Sequence, residues 1–322
     1  MNLNERFAAL DENLKLDPAE RKRAEDLHNR LGELLAKAGV AKATHLQGSF
    51  ARKTMLPPLH DIDKVIELAD ALREEFAGPS GPIAAMELIS DTLQPDFPSA
   101  SFEIKKHALR IVLPDQGFDF DAVPAFNLEG ATRWIEIANT RDQNWERSNT
   151  YELIDVISER NKVCDGRFVR QVRMAKQVVQ TAGISDALPG LHVETFAYEA
   201  ISTATEHPEA LSATLVKAVE LLGGTYTEPT GVDQISDRLK AEQVVTAQAV
   251  LGPLSVRTTE ALALAAAGDE TRAAHIWADL FGEQFPRPAA VGETAFLRQL
   301  YAGVGVASTA RAAPRTRAWR LS

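Results

Sequence analysis

The stretch that decides the fold is "LQGSFARKTMLPPLHDIDKVIEL", residues 46–68. It opens with a Gly-Ser turn, passes through a proline-containing loop and ends in an alternating segment that holds Asp61 and Asp63. Alternation of apolar and polar residues predicts a β-strand, so both aspartates project from the same face, about 7 Å apart along the chain. Carboxylates on an otherwise apolar strand are costly unless something positive lies opposite them.

A second pair of aspartates follows about 60 residues later, in "FDFDAVPAF" (118–126). Asp119 and Asp121 again stand two apart among apolar residues. Carboxylates gathered from two neighbouring strands suit magnesium, which prefers hard oxygen ligands. Two such ions can activate an attacking hydroxyl and neutralise a leaving pyrophosphate. One such pair alone would favour a polar, solvent-facing strand, whereas two pairs favour a metal site.

The turn before the first pair predicts a phosphate-binding loop. Gly48 permits a close backbone approach to a phosphate, and Ser49 can donate both its amide and its hydroxyl. A Gly-Ser turn is usually only a turn. This one stands twelve residues before Asp61, joined by a loop that can fold back over a triphosphate.

Composition is that of an ordinary globular protein. The chain has 322 residues, of which 45% are hydrophobic and 25% charged, enough for one large or two medium domains. The single cysteine, Cys164, excludes an internal disulfide and a multi-cysteine zinc site, and suits a reducing cytoplasm. Neither an apolar run of about 18 residues nor a signal-like start is present, so we expect a cytoplasmic protein without a membrane partner.

The charge is acidic and unevenly spread. The formal net charge is −10, yet the residues after Glu293 carry five arginines and no acid, which leaves about −15 on the rest. Extended binding to a nucleic acid usually needs a basic surface. We therefore expect no extended nucleic-acid binding, and any polyphosphate to be bound through metal ions and a few local cations.

Periodicity divides the chain into a mixed front part and a helical rear part. Residues 4–39 read as helix with a break near Pro18, and residues 101–113 and 118–126 as strands. After Tyr151 the helical period dominates. The prediction is an α+β fold: a catalytic lobe with a mixed β-sheet and an N-terminal helix (1–150), a helical C-terminal lobe that closes the nucleotide pocket (151–287), and a flexible Arg/Ala-rich tail (288–322).

These motifs resemble a known enzyme family. "GSF", "DID" and "FDFDAVPAF" resemble the DNA polymerase β-like nucleotidyltransferase superfamily. Within it, the chain is similar to the bacterial cyclic GMP-AMP synthase-like enzymes, the CD-NTases of CBASS antiphage operons. Four later segments carry that closer likeness: "RFVRQVRMAKQVVQ", "LPGLHVETFAYEA", "EPTGVDQISDRL" and "AAHIWADLFGEQFP". The resemblance covers about residues 1–287 and implies a polymerase β-like lobe.

The resemblance also implies roles for particular residues. Asp61, Asp63 and Asp121 would be catalytic metal ligands for two Mg²⁺ ions, with Mn²⁺ as a substitute, and Asp119 a near neighbour. Gly48, Ser49 and Lys176 would bind the triphosphate. Lys176 also fits this role by helical period, because it lies opposite the apolar face of its predicted helix; without the family context, a solvated lysine would be expected.

The implied activity joins nucleoside triphosphates, ATP and/or GTP among them, into a cyclic di- or trinucleotide, with release of pyrophosphate. A downstream effector would sense the product, and a regulatory partner from the same operon is a further expectation. One alternative is a nucleotidyltransferase that modifies RNA, a small molecule or a protein, although the acidic body disfavours a polynucleotide channel. A second is a protein that senses nucleotides without chemistry, which the full acidic trio disfavours.

Several other residues could have either a structural or surface role or a role in the site. His60 precedes Asp61 but is expected to be an exposed loop histidine, and Trp134, Trp145 and Trp277 are expected to lie in the core. Glu228 replaces the aspartate that the family often has before Pro-Thr-Gly, in a loop expected to be structural. The remaining candidates, each with ordinary surface or helix-start polarity as the alternative to a nucleotide contact, are Arg52, Lys53, His192 and Glu194.

Overall fold

The computed structural model describes residues 1–128 and 133–288, so the predicted tail lies outside the described residues from residue 289 onward. The described strands form one seven-stranded sheet. Their bounds are Ala41–Leu46 (β1), Asp61–Leu68 (β2), Ser101–Ile104 (β3), Leu109–Val112 (β4), Asp119–Asn127 (β5), Ile135–Asn139 (β6) and Asn144–Ser148 (β7).

Four α-helices accompany the sheet and six follow it in the described chain. The first four are Leu3–Asn13 (α1), Pro18–Lys37 (α2), Gly48–Ala51 (α3) and Gly81–Leu93 (α4). The later six are Thr150–Val163 (α5), Phe168–Thr181 (α6), Gly190–Ala200 (α7), His207–Leu221 (α8), Ala241–Ala266 (α9) and Glu270–Phe281 (α10). None of these described helices combines the length and the hydrophobicity that crossing a membrane requires.

The sheet is mixed, as the sequence predicted. Its strand order is β1-β2-β5-β4-β3, and β6 pairs with both β5 and β7. β2 and β5 pair in parallel, and the other described pairs are antiparallel. A parallel pair needs a long crossover between its strands. The chain from residue 69 to residue 118, which holds α4, β3 and β4, makes that connection.

The two faces of β2 have different surroundings. Ile62 and Ile66 point into a core shared with α2 and α4. Lys64 lies on that face too, fully buried, where its Nζ donates a 2.7 Å hydrogen bond to the His28 carbonyl oxygen. The opposite face carries the aspartates. The apolar alternation therefore anchors one face of the strand and leaves the other for chemistry.

The helical part forms its own core, and α1 packs into it. Phe7 and Leu10 of α1 are buried with Trp277 and Phe281 of α10. Phe7 meets both aromatic rings edge to face. The first helix of the chain is thus held by the helical part, although the sequence grouped it with the sheet. The division of the chain into lobes remains a proposal.

Three local features differ from what the sequence suggested. Residues 101–113 form the hairpin of β3 and β4 instead of one strand, and the hairpin of β6 and β7 was not foreseen. α9 continues through Pro253, although proline lacks an N–H and usually breaks a helix at a cost of about 3 kcal/mol. Here the proline is exposed, and residues on both sides of it are buried against the rest of the helical core: Ala247, Leu251, Ser255, Thr258 and Ala261.

Candidate active site

The two aspartate pairs lie on neighbouring parallel strands. Asp61 is in register with Asp119, and Asp63 with Asp121. Residues in register on adjacent parallel strands point to the same side, and such strands lie about 4.8 Å apart. Four carboxyl groups therefore form two adjacent rungs on one face of the sheet, while the residue between each pair of aspartates is fully buried on the other face.

The Gly-Ser turn is fitted directly against this acidic face. It forms the single helical turn α3, and the amide of Gln47 donates a 2.9 Å hydrogen bond to the backbone oxygen of Asp63. Gly48 has a positive φ of 66°, and a Cβ placed on it would lie 1.7 Å from Oδ2 of Asp63. No other residue fits at this position. The missing side chain brings Ser49 beside the carboxylates.

A cavity of about 410 Å³ opens at this point, between the sheet and the helical part. Its size is typical of a small-molecule site. Ser49, the three predicted metal-binding aspartates and Lys176 all face it, and Gly48 borders it through its contact with Asp63. The cavity lining comprises Ser49, Met55, Leu56, Pro58, His60, Asp61, Asp63, Asp121, Lys176, Val179, Gln180, Ser185, Leu188, Gly190 and Val193.

The cations near the two inner carboxyl groups do not offset the effect of burial on their pKa values. Burial raises the pKa of Asp63, and the nearby Asp121 carboxyl raises it further. Burial likewise raises the pKa of Asp121, and Oδ1 of that residue is buried without a hydrogen-bond partner. A hard cation would stabilise the ionised form of these carboxyl groups and would bind the unpaired oxygen of Asp121. The donor set therefore fits a divalent ion such as Mg²⁺.

The third aspartate is held elsewhere. Nη2 of Arg110 donates to Oδ1 of Asp61 at 2.9 Å and to Oδ2 of Asp119 at 2.7 Å. We call Asp61, Arg110 and Asp119 the mouth cluster. Among the described residues, no group of three His, Cys, Asp or Glu side chains is arranged to hold a metal ion. The three aspartates line one cavity, and their role as metal ligands stays a prediction.

A second ionic group lies next to the cavity, which Lys176 lines. Glu194 of α7 accepts hydrogen bonds from Lys176 Nζ (2.6 Å), Arg52 Nε (2.7 Å) and Thr54 Oγ1 (2.7 Å). We call these four residues the buried cluster, since the Glu194 side chain is only 1% exposed. Burial opposes ionisation of Glu194, but the two cations outweigh it and lower its pKa to about 2. The cluster ties the loop after α3 to α6 and α7.

The buried cluster changes two readings from the sequence. Arg52 is not ordinary surface charge, because its side chain is paired with Glu194 and almost fully buried. Glu194 is not a helix-start polar residue, because it is the acceptor that positions Lys176. Burial lowers the pKa of Lys176, which nevertheless keeps its ion pair with Glu194 at the edge of the cavity.

Most of the remaining candidates have the surface or structural role that the sequence analysis gave as the alternative to a nucleotide contact. His60 lines the cavity but is exposed, and Lys53 is an exposed loop residue. His192 is buried and bonds the Tyr226 hydroxyl, away from the cavity. Trp277 lies in the core as predicted, whereas Trp134 and Trp145 are only partly buried. Cys164 is buried. Glu228 binds backbone amides of its own loop, which is the structural role expected.

Sequence reasoning missed Arg110 as part of the site. The signal was present in "ALRIV" (108–112), where Leu109 and Ile111 are buried and Arg110 points to the other side. Arg110 is the register partner of Asp121 on β5, so it lies on the acidic face. The reading of residues 101–113 as one continuous strand concealed this pairing.

Solved structures share the fold at low sequence identity. CdnC of E. coli MS115-1, in a complex with HORMA-deltaN, is 16% identical with a TM-score of 0.69, over 88% of this chain and 98% of that one. CdnG, the CD-NTase of Bradyrhizobium diazoefficiens solved with GTP, is 14% identical with a TM-score of 0.65, over 85% and 96%. DncV of Vibrio cholerae is 12% identical with a TM-score of 0.64, over 89% and 96%.

A family profile matches the chain as well, although no curated protein does. The profile is that of the Second Messenger Oligonucleotide or Dinucleotide Synthetase domain, and it matches residues 1–161. Those residues include the sheet, the Gly-Ser turn and all four aspartates of the acidic face. The chain therefore belongs to the family of Second Messenger Oligonucleotide or Dinucleotide Synthetase domains and has the fold of the bacterial CD-NTases, as its motifs predicted.

Proposed function

We propose that this nucleotidyltransferase joins nucleoside triphosphates into a cyclic di- or trinucleotide with release of pyrophosphate. One observation carries the proposal: Ser49, Lys176 and the aspartates 61, 63 and 121 surround one cavity of about 410 Å³. Lys176 and the three aspartates line one space that suits a metal-bound triphosphate. Residues 1–150 would supply the acids and residues 151–287 the closing helices.

The chain's own residues would mainly position the reactants. The amide and hydroxyl of Ser49 are placed to bind phosphate oxygens beside the acidic rungs. Lys176, fixed by Glu194, would bind the triphosphate from the opposite side. Apolar lining residues such as Leu56, Val179 and Leu188 would exclude water and pack on a base. Phosphoryl transfer needs little covalent help, so positioning and charge supply most of the catalysis.

Asp61, Asp63 and Asp121 would hold the divalent ions, Mg²⁺ by preference and Mn²⁺ as a substitute. When bound, such ions neutralise charge on the leaving pyrophosphate and lower the pKa of the attacking hydroxyl. The carboxylates fix where that charge is placed. The pairing of β2 with β5 keeps Asp63 and Asp121 on adjacent strands throughout.

The reaction would run twice to close a dinucleotide ring, and three times to close a trinucleotide ring. A ribose hydroxyl of the acceptor forms a bond to the α-phosphorus of the donor, the bond to pyrophosphate breaks, and the hydroxyl proton leaves to solvent. The linear product then turns over in the cavity and reacts again. Solved structures of Vibrio cholerae DncV hold GTP and the linear intermediate pppA(3′,5′)pG, and CdnC of E. coli MS115-1 was solved with ATP.

The expected setting is bacterial antiviral defence in the cytoplasm. A downstream effector would sense the cyclic product. The complex of CdnC with HORMA-deltaN supports a regulatory protein partner for this chain as well.

The test is the double substitution Asp61→Asn with Asp63→Asn. Incubation with labelled ATP, GTP, CTP and UTP should give a small phosphatase-resistant product with the wild type and none with the variant. Circular dichroism should show that the variant is folded. Pyrophosphate release at the wild-type rate by the variant would overturn the assignment. Label transferred to RNA or protein would instead favour the alternative nucleotidyltransferase.

A further inference from the structure

Arg110 occupies the mouth of the acidic face. It lies on β4 in register with Asp121 and reaches across the outer rung formed by Asp61 and Asp119. Its Nη2 binds both outer carboxylates, and its Nε adds a 3.2 Å bond to Asp119 Oδ2. The Arg110 side chain is 31% exposed, so solvent and ligands can reach it.

The four carboxyl groups are therefore satisfied unequally. The outer two, Asp61 and Asp119, share the Arg110 guanidinium. The inner two make no hydrogen bond or ion pair with it in the described structure: Asp121 has a buried oxygen without a donor, and Asp63 faces Gly48. The guanidinium of Arg110 therefore neutralises the carboxylate of Asp61, which is one of the three predicted metal ligands.

Arg110 would compete with a metal ion for Asp61. Its Nη2 binds Oδ1 of Asp61 at 2.9 Å, so one of the two carboxylate oxygens that could hold a cation is already engaged. A charge-assisted bond of this kind is among the stronger hydrogen bonds in proteins.

A triphosphate offers Arg110 a better partner than Asp61. The guanidinium binds phosphate oxygens in a planar fork. Ser49 and Lys176 line the cavity that Asp61 also borders. A nucleotide bound by Ser49 and Lys176 would bring its negative charge close to Arg110. Nε and Nη2 of Arg110 both donate to Asp119, which keeps the guanidinium at the mouth. Arg110 can then leave Asp61 without leaving the site.

We propose that Arg110 is a positioning residue that couples metal binding to nucleotide binding. In the free enzyme it holds Asp61 away from the metal, and the incoming triphosphate draws it off, so that the ligand set completes only when a substrate is present. This rests on the proposed function of the same site. Linkage requires the coupling to be reciprocal, so metal should also tighten nucleotide binding more in the wild type than without Arg110.

The test is a titration of Mn²⁺, followed by the electron paramagnetic resonance signal of the free ion, without nucleotide. Arg110→Gln should bind Mn²⁺ about tenfold more tightly than the wild type, because Asp61 is released. Arg110→Lys keeps the charge but loses the fork, so it should also bind Mn²⁺ more tightly than the wild type. Arg257→Gln, which changes the net charge equally at a distant pair with Asp279, should behave as wild type.

A second titration includes a nucleoside triphosphate with a non-hydrolysable α,β linkage. The difference between Arg110→Gln and the wild type should then shrink, because the analogue has already displaced the arginine. Equal Mn²⁺ affinity of the two proteins without nucleotide would overturn the proposal, and so would wild-type behaviour of Arg110→Lys, since that indicates a through-space charge effect only. If the wild type makes no product and no variant binds Mn²⁺, the proposed function itself has failed.

Discussion

The mouth cluster and the buried cluster have opposite charge imbalances. In the mouth cluster, one cation, Arg110, is paired with two carboxylates. In the buried cluster, one carboxylate, Glu194, is paired with two cations. The first group is partly exposed and can exchange partners, whereas the second is buried and complete. The difference separates two tasks: the buried cluster fixes positive charge at Lys176, and the four aspartates of the sheet form a negative wall that a cation must still complete.

Breaking the buried cluster should have the largest effect. Glu194→Gln keeps the shape but leaves Arg52 and Lys176 facing each other without an anion. We expect the free energy of unfolding to fall by about 3–5 kcal/mol in urea denaturation. Glu220→Gln, which breaks an exposed pair with Lys217, is the matched control and should cost about 0–1 kcal/mol. A loss as small as that of the control would contradict the role of Glu194.

The pH dependence sharpens the same comparison. The pKa of Glu194 is about 2 in the folded protein, against an ordinary value of 4.5. A depressed folded-state pKa means that the stabilisation is complete above about pH 4.5 and is lost as the pH falls toward 2. The stability difference between the wild type and Glu194→Gln should therefore be constant near neutrality and shrink below about pH 4.5. A difference that persists under acid conditions would argue against the ion pairs as its cause.

Neutralising the negative wall should have the opposite signature. Asp121→Asn neutralises a half-buried carboxyl group whose Oδ1 atom is buried without a partner. Product formation should fall by about 10²–10³-fold, as for other losses of preorganised charge. The melting temperature without metal should rise slightly, because an uncompensated charge has been removed. Asp115→Asn, in an exposed turn, should change neither quantity. A large loss of stability in Asp121→Asn would place this residue with the buried cluster instead.

The smallest effect is expected at the Gly-Ser turn. Ser49→Ala removes one neutral hydroxyl and keeps the backbone amide. We expect the KM for the nucleotide to rise about threefold to tenfold, with an unchanged melting temperature. Ser99→Ala, at an exposed site far along the chain, is the control. A wild-type KM would mean that the backbone of the turn alone binds the phosphates.

The acidic wall was readable from the sequence because it depends on local alternation. Apolar residues between Asp61 and Asp63, and between Asp119 and Asp121, are enough to predict two strands with their acids on one face. Lys176 followed in part from helical period. That these strands are adjacent was inferred from the chemistry and confirmed by their parallel pairing.

The partners of these residues could not be read in the same way. Arg110 meets Asp61 only because β4 turns back through a hairpin and pairs with β5, which no local period reports. Glu194 becomes buried only when α7 packs against the loop after α3, 142 residues from its partner Arg52. Long-range pairing decides both clusters, and so does the packing that carries α9 past Pro253.

The parallel pairing of β2 with β5 also makes the site divisible. The exposed turn at residues 77–80 lies between the two strands. A chain cut there would leave Ser49, Asp61 and Asp63 on one fragment and Asp121 and Lys176 on the other. Each fragment alone would be silent, and activity would return only on reassembly. The central strand pair could thus serve as the joint of a split reporter, in which signalling output registers the meeting of two fused proteins.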